Sequence, residues 1–386
     1  MKCFNLSHGM ILLLVTSALC RADEQSGDFQ YKAYGNEWVT ITAYTGSEEE
    51  VVVPAEIEGL PVTGLEIAAF HGKGMVKSVS LPEGLLDISS LAFGSCSNLV
   101  NIKIPNTVTN IGFAAFRECT SLPDIFIPDS VQTIGQFAFL HCTGIAEFEV
   151  GKNNTAYRSE DGVLVEQANN KLLVYPMASP RTEYRIPDAV TSIESQAFYC
   201  CQNLKMLTLP DTMKEISSDA LRGCLGLERI EIPGNIQVIA DYALAECTNL
   251  TDVVGMDGVT YIGHRAFKDC TALEMIPLGK ALKTIGDQTF SGCSSLKTMV
   301  FPNGFAHLGT LAFENCPSLE NVYFKGDIPG TPCYYNYPSV VSTMLIPFAT
   351  PYPVVHYLPG TTGWFGEYLV DANGKRFNLS EITPFY

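Results

Sequence analysis

The sequence predicts a repeat solenoid, a β-rich, right-handed, curved stack of short coils with a cap at each end and one inserted hairpin. Three observations carry that prediction. Prolines stand at Pro82, Pro105 and Pro128, then at Pro187, Pro210 and Pro233, each step being 23 residues. Large apolar residues keep the same step at Phe70, Phe93, Phe116 and Phe139, then at Phe198, Leu221, Leu244, Phe267, Phe290 and Phe313. Cysteines keep it at Cys96, Cys119 and Cys142, then at Cys201, Cys224, Cys247, Cys270, Cys293 and Cys316. A chain of 386 residues would otherwise suggest two or three globular domains, but three residue types in one phase mark stacked repeats.

The unit is clearest in SLPDIFIPDSVQTIGQFAFLHCT. Leu122, Ile125 and Ile127 have the spacing that turns one side of a short strand inward, and Pro128, lacking an N–H, ends that strand. Val131, Ile134, Ala138 and Phe139 would line the opposite wall. Each coil is then two-walled and buries its apolar faces only by stacking on its neighbours, with parallel strands about 4.8 Å apart and the Phe residues in a continuous offset stack. This period with L-x-x-I-x-I spacing is the leucine-rich-repeat signature. Alanine precedes the ladder residue in every coil except at Thr289, so the packing there is tight. Gly112, Gly135, Gly263, Gly286 and Gly309 share a position that other coils fill with Ser89, Glu194, Ser217 and Ala240, which predicts an ordinary tight corner without positive φ.

The elements follow in order. Residues 1–22 read as a secretory signal: Lys2 is basic, Met10 to Leu19 is a ten-residue apolar run, and Ala22 is a small residue at a plausible cleavage point. Such a run is too short to span a bilayer as a helix, which takes about 20 residues. Lipidation of Cys20 is the competing reading, against which Leu19 stands where a small residue is wanted. Residues 23–60 hold strand-like segments without a complete repeat and are read as an N-terminal cap. The leucine-rich-repeat solenoid occupies 61–324. It is interrupted over 144–182, where Cys142 and Cys201 are 59 apart, two periods plus 13. There, alternation in Val163 to Glu166 and Leu172 to Tyr175 beside the Asp161-Gly162 and Asn169-Asn170 turns predicts a hairpin, either a partner contact or a structural spacer. Residues 325–386, rich in proline and aromatics, are read as a C-terminal cap. Alternatively Tyr335 and Trp364, with their aromatic neighbours, stack on a sugar.

The segment Ile125 to Thr143, I-x-I-P-D-S-V-Q-T-I-G-Q-F-A-F-L-H-C-T, resembles the BspA-like class of leucine-rich repeats, related to treponemal repeats of the same type. The likeness extends over roughly residues 28 to 370, through ITAYTG and EGLPVTGL, NNTAY and SEDGVL, and NVYFKGDIP and YLPGTTGW. It implies a secreted or cell-surface protein, found chiefly in bacteria and some protists, that acts in adhesion to host proteins or other cells. It carries no shared catalytic residue. A long C-terminal anchoring or sorting domain, present in some members, is not recognisable here.

Composition and motifs narrow the function further. With 24 basic against 41 acidic residues the net charge is −17, which excludes an electrostatic nucleic-acid binder. The six histidines, at 8, 71, 141, 264, 307 and 356, lack ligand spacing, and no nucleophile elbow, Walker loop, dinucleotide fingerprint or calcium loop occurs. A non-catalytic protein without cofactor or metal is expected. Nine of the 13 cysteines share one inward position, which favours buried free thiols over disulfides. The candidate binding surface is the concave strand face, at the positions flanking the central apolar residue: Asn101, Lys103, Asp124, Phe126, Glu147, Glu149, Met206, Thr208, Arg229, Glu231, Met275, Thr298, Val300, Asn321 and Tyr323. Among these Phe126, Met206, Arg229, Met275, Val300 and Tyr323 are the anchors. The expected partner is an extracellular or host-surface protein, bound by a monomer that has no transmembrane segment after export.

Overall fold

The computed structural model describes residues 23–326 in full and the strands Val354–Tyr357, Tyr368–Val370 and Arg376–Asn378 by their backbone. The signal read over 1–22, and the aromatic residues Tyr335 and Trp364, lie outside the described residues.

The chain is a β-solenoid of about 12 turns. Each regular coil contributes to two parallel ladders whose rungs differ by 23 residues. In one, Asp124–Ile127 pairs with Glu147–Val150, and Met206–Thr208 pairs with both Glu183–Arg185 and Arg229–Glu231. In the other, two-residue strands such as Asn110–Ile111 and Val238–Ile239 pair with their counterparts in neighbouring coils. Alternation places Leu122, Ile125, Ile127 and Val131 inside, each at most 2% exposed. Burial of each such side chain contributes about 1.5–3 kcal/mol.

The third side of each coil has a regularity that the residue types do not announce. Two residues per coil hold a left-handed backbone, one two positions before the ladder residue and one two positions after it. In one coil they are Leu91 (φ 57°) and Ser95 (φ 58°), and in the next Ala114 (φ 52°) and Glu118 (φ 64°). The reason lies in the hydrogen bonds along the stack. The N–H groups of Leu91, Phe93 and Ser95 all donate to the next coil, to the carbonyls of Phe113, Ala115 and Arg117, at 2.7–2.9 Å. Intervening peptides fold back on their own coil, Ala92 N–H to Ser89 and Gly94 N–H to Leu91. This side of the coil thus pairs its backbone groups without a helix or a third sheet.

The Ala of each Ala-Phe pair is essentially fully buried. Thr289, the exception, is accommodated because its hydroxyl donates to the carbonyls of Gly286 at 2.8 Å and Gly263 at 2.9 Å. The shared glycines have no positive φ, yet they are more than a corner. A β-carbon on Gly112 would lie 2.5 Å from the Ser90 nitrogen of the preceding coil, and one on Gly135 would lie 2.4 Å from that of Phe113. These glycines let neighbouring backbones approach.

The aromatic ladder is stacked but not continuous, which corrects the sequence expectation. Tyr44 in the N-terminal region opens it at 5.2 Å from Phe70, and Phe70, Phe93, Phe116 and Phe139 follow with centroids 5.1–5.7 Å apart. Phe148 then meets Phe139 edge-on at 65°. Tyr175 starts a second run by stacking on Phe198 at 4.9 Å, Leu221 and Leu244 interrupt it, and Phe267, Phe290 and Phe313 resume it at 5.5 Å. Beside it runs the thiol ladder. Every described cysteine is free, and eight in the ladder donate S–H to the carbonyl 26 residues earlier, as Cys96 does to Phe70 at 3.0 Å and Cys247 to Leu221 at 3.2 Å.

The strand Glu147–Val150 still belongs to the first ladder, so the departure from the repeat falls after it. Tyr157–Glu160, Val163–Glu166 and Lys171–Val174 then form an antiparallel meander, and the last strand pairs in parallel with Ser192–Ile193 to restart the second ladder. Its central strand is a septum. Val163 and Val165 pack into the core that runs on to Phe324, whereas Leu164 packs into the core that begins at Tyr31. Period-two alternation sends adjacent side chains into two separate cores. At the interrupted edge, Ile134 is only half-buried and its N–H donates to the Tyr157 hydroxyl at 2.8 Å.

At the N-terminal end, Glu24–Ser26, Phe29–Tyr34 and Trp38–Tyr44 form an antiparallel meander whose last strand pairs in parallel with Leu60–Leu65. Glu50–Val52 pairs with Ser78–Ser80. The first coil's strands are therefore paired on their N-terminal side, and the short strands Glu24–Ser26 and Glu50–Val52 become the outermost ones, short edges being less prone to pairing with other chains.

Candidate binding surfaces

The first ladder sets the expected strand face in two outward rows. One contains Asp124 and Glu147, then Glu183, Met206, Arg229 and Asp252, then Met275, Thr298 and Asn321. The other contains Phe126 and Glu149, then Arg185, Thr208 and Glu231, then Val300 and Tyr323. Of the six anchors, Met275 is 61% and Phe126 44% exposed, and Met206, Arg229, Val300 and Tyr323 are half-buried. They do not form one patch. Met206 adjoins Arg229, and Val300 adjoins Tyr323, but at about 4.8 Å per coil Phe126 lies on the order of 40 Å along the stack from Tyr323.

Arg229 is held within the protein. Its guanidinium donates to Asp252 in the next coil and, at 3.2 and 3.3 Å, to Glu231 Oε1, while the Thr208 hydroxyl donates to Glu231 Oε2 at 3.3 Å. Leaving this bidentate arrangement costs a partner-bound Arg229 its internal bonds, so it organises the row more than it reaches out. Around Phe126 the carboxylates of Asp124, Glu147 and Glu149 make the face acidic.

A second surface was not foreseen. On the outer face of the second ladder, beside the N-terminal hairpin, a cleft of about 520 Å³ is lined by Tyr34, Trp38, Thr40, Glu66, Leu86 and Asp87, among others. Its floor is a gap in a row. Thr40, Gly64 and Asp87 are consecutive outward rungs, and Gly64 has no side chain to fill its place. Tyr34 and Trp38, across the turn of the hairpin, stack at 5.8 Å and 17°, and Leu86 is 48% exposed. The tyrosine and tryptophan four apart in a strand–turn–strand, with glycine at a rung position, were the available signals. Only the docking of the N-terminal region on the first coil brings them together.

Solenoid architecture, parallel two-residue rungs and the buried Ala-Phe and Cys ladders define a leucine-rich-repeat protein. A family model described as a BspA type leucine rich repeat region matches residues 61–160, 177–280 and 260–343, and the chain belongs to that family. A leucine-rich repeat protein from Eubacterium ventriosum is 21% identical over 82% of this chain and 96% of its own, with a TM-score of 0.61. The pneumococcal vaccine antigen PcpA is 18% identical over 88% of this chain and 94% of its own, with a TM-score of 0.54. At these identities the likeness is one of fold. No curated protein matches significantly by sequence. Among the described residues no helix is long and apolar enough to cross a membrane.

Proposed function

We propose that this chain is a secreted or cell-surface protein that binds another protein through its strand face, as a non-catalytic adhesion scaffold. The observation that carries the reading is the pair of exposed apolar side chains, Phe126 and Met275, on a ladder whose outward rows also carry the half-buried Met206, Val300 and Tyr323 among polar and charged residues. Large apolar groups held in fixed register and ringed by charge are what interfaces use as anchors. Family membership supports the same reading, because leucine-rich repeats of this type present extended surfaces to partners.

The test pairs the purified chain from Asp23 onward with extracellular-matrix and host-surface proteins and with a glycan array. Saturable binding to a protein, weakened at least about ten-fold by Phe126→Asp or Met275→Asp with the melting temperature unchanged, is the expected result. Binding confined to glycans and abolished by Trp364→Ala would overturn it.

A further inference from the structure

The cleft at Gly64 has an unequal supply of donors and acceptors. The hydroxyls of Tyr34 and Thr40 donate to Glu66 Oε1 at 3.0 and 2.9 Å, and the Ser89 hydroxyl and the Asn110 amide donate to Asp87. The hydroxyls of Tyr34, Thr40 and Ser89 are thus turned onto the cleft's own carboxylates, and that of Thr63 onto the Val39 carbonyl. An ionised carboxylate offers about four acceptor positions, so both acids keep acceptor capacity toward the cleft. The remaining lining is apolar and flat, the Tyr34 and Trp38 rings on one side and Leu86 on the other. The chain carries a net charge of −17.

We propose that this cleft captures a basic side chain, arginine or lysine, presented by a partner polypeptide. An aliphatic stem lies along Leu86 and the aromatic faces, and the cationic head, which has donors only, completes Glu66 and Asp87. A neutral sugar can donate its hydroxyls to the same carboxylates but brings no charge to balance theirs. The cleft is larger than one side chain and admits adjoining backbone. It lies on the other ladder from Phe126, so this interaction is separate from the strand-face reading.

The full chain carrying Trp364→Phe leaves Trp38 as the single tryptophan, since the sequence has two. It is titrated with acetyl-Gly-Arg-Gly-amide, with the citrulline peptide that keeps the shape and loses the charge, and with a methyl pyranoside, reading Trp38 emission and heat. The expected result is a saturable response to the arginine peptide alone, at least about ten-fold weaker after Glu66→Gln and absent after Gly64→Val. Gly64 has no positive φ and a β-carbon there would lie 3.3 Å from Thr40 Cγ2, so valine fills the floor while suiting a strand. Thermal melts check that both variants fold. Phe126→Asp should leave the response unchanged, which separates failure here from failure of the strand-face reading. Equal binding of the citrulline peptide, saturable binding of the pyranoside alone, indifference to Glu66→Gln, or no saturable response would overturn the proposal.

Discussion

A left-handed backbone costs a non-glycine residue about 1–2 kcal/mol, yet the ten residues that stand two positions before a ladder residue all hold it and none is glycine. Hydrogen bonding along the stack imposes the conformation and offsets the cost. Gln196 is the informative case, with φ 64° and a buried side-chain amide oxygen that has no partner. Gln196→Gly removes both defects while adding chain entropy to the unfolded state. The stability measured by urea unfolding should hold steady or rise, by up to about 1 kcal/mol, whereas Gln196→Val should lower it. A clear loss with glycine would mean that the corner is not strained. The thiols make a second prediction. Burial pushes Cys96, Cys142 and Cys316 up to about 12. In the unfolded chain a thiol ionises near 8.5, so the folded state retains protons that the unfolded state loses. Stability attributable to these groups is complete below about pH 8.5 and falls between there and about 12, by up to about 1.4 kcal/mol per unit for each group. Unfolding titrations should fall off above pH 9, less steeply in Cys142→Ala, and native alkylation mapped by mass should spare Cys96 and Cys142.

Among the elements, the septum strand Val163–Glu166 decides how the two cores communicate. Leu164→Ala should destabilise the N-terminal core and Val165→Ala the C-terminal one, the leucine change by about 2–5 kcal/mol. Hydrogen exchange should show each loss confined to its own side, and equal loss on both sides would mean that the septum couples them rigidly. Much of the coil was readable because its period holds at 23 on both sides of the insertion: the inward apolar positions, the thiol ladder and most of the proline stops follow from that count. The hairpin strands were readable from alternation and the Asp161-Gly162 turn. What stayed hidden depends on contacts between distant segments. Local residue types do not reveal that Leu91 or Glu118 is left-handed, since the neighbouring coil sets that. Nor could Arg229 be seen to be held by Asp252, because that bond arises only when neighbouring rungs align. The cleft was hidden for the same reason.

For the whole molecule, stability should approximate a sum over coils and their interfaces. Deleting residues 228–250 joins Leu227 to Thr251 in the register that Glu228 held, so the shortened chain should fold with its strand content intact. Its denaturant dependence should drop roughly in proportion to the lost surface. Deleting 13 residues from the same region shifts every inward side chain out of place and should abolish cooperative unfolding. A shortened chain that fails in both cases would show the stack to be indivisible.

The hydrogen bonds that join one coil to the next also determine how the chain would behave under tension. They run along the stack, and a pull on the two ends of the polypeptide peels the terminal coil from its neighbour before the next coil bears load. Each detachment frees 23 residues, a contour of about 75–80 Å. A chain held at both ends under load would thus lengthen in uniform increments, and the septum, shared by both cores, is the place where that rhythm would break.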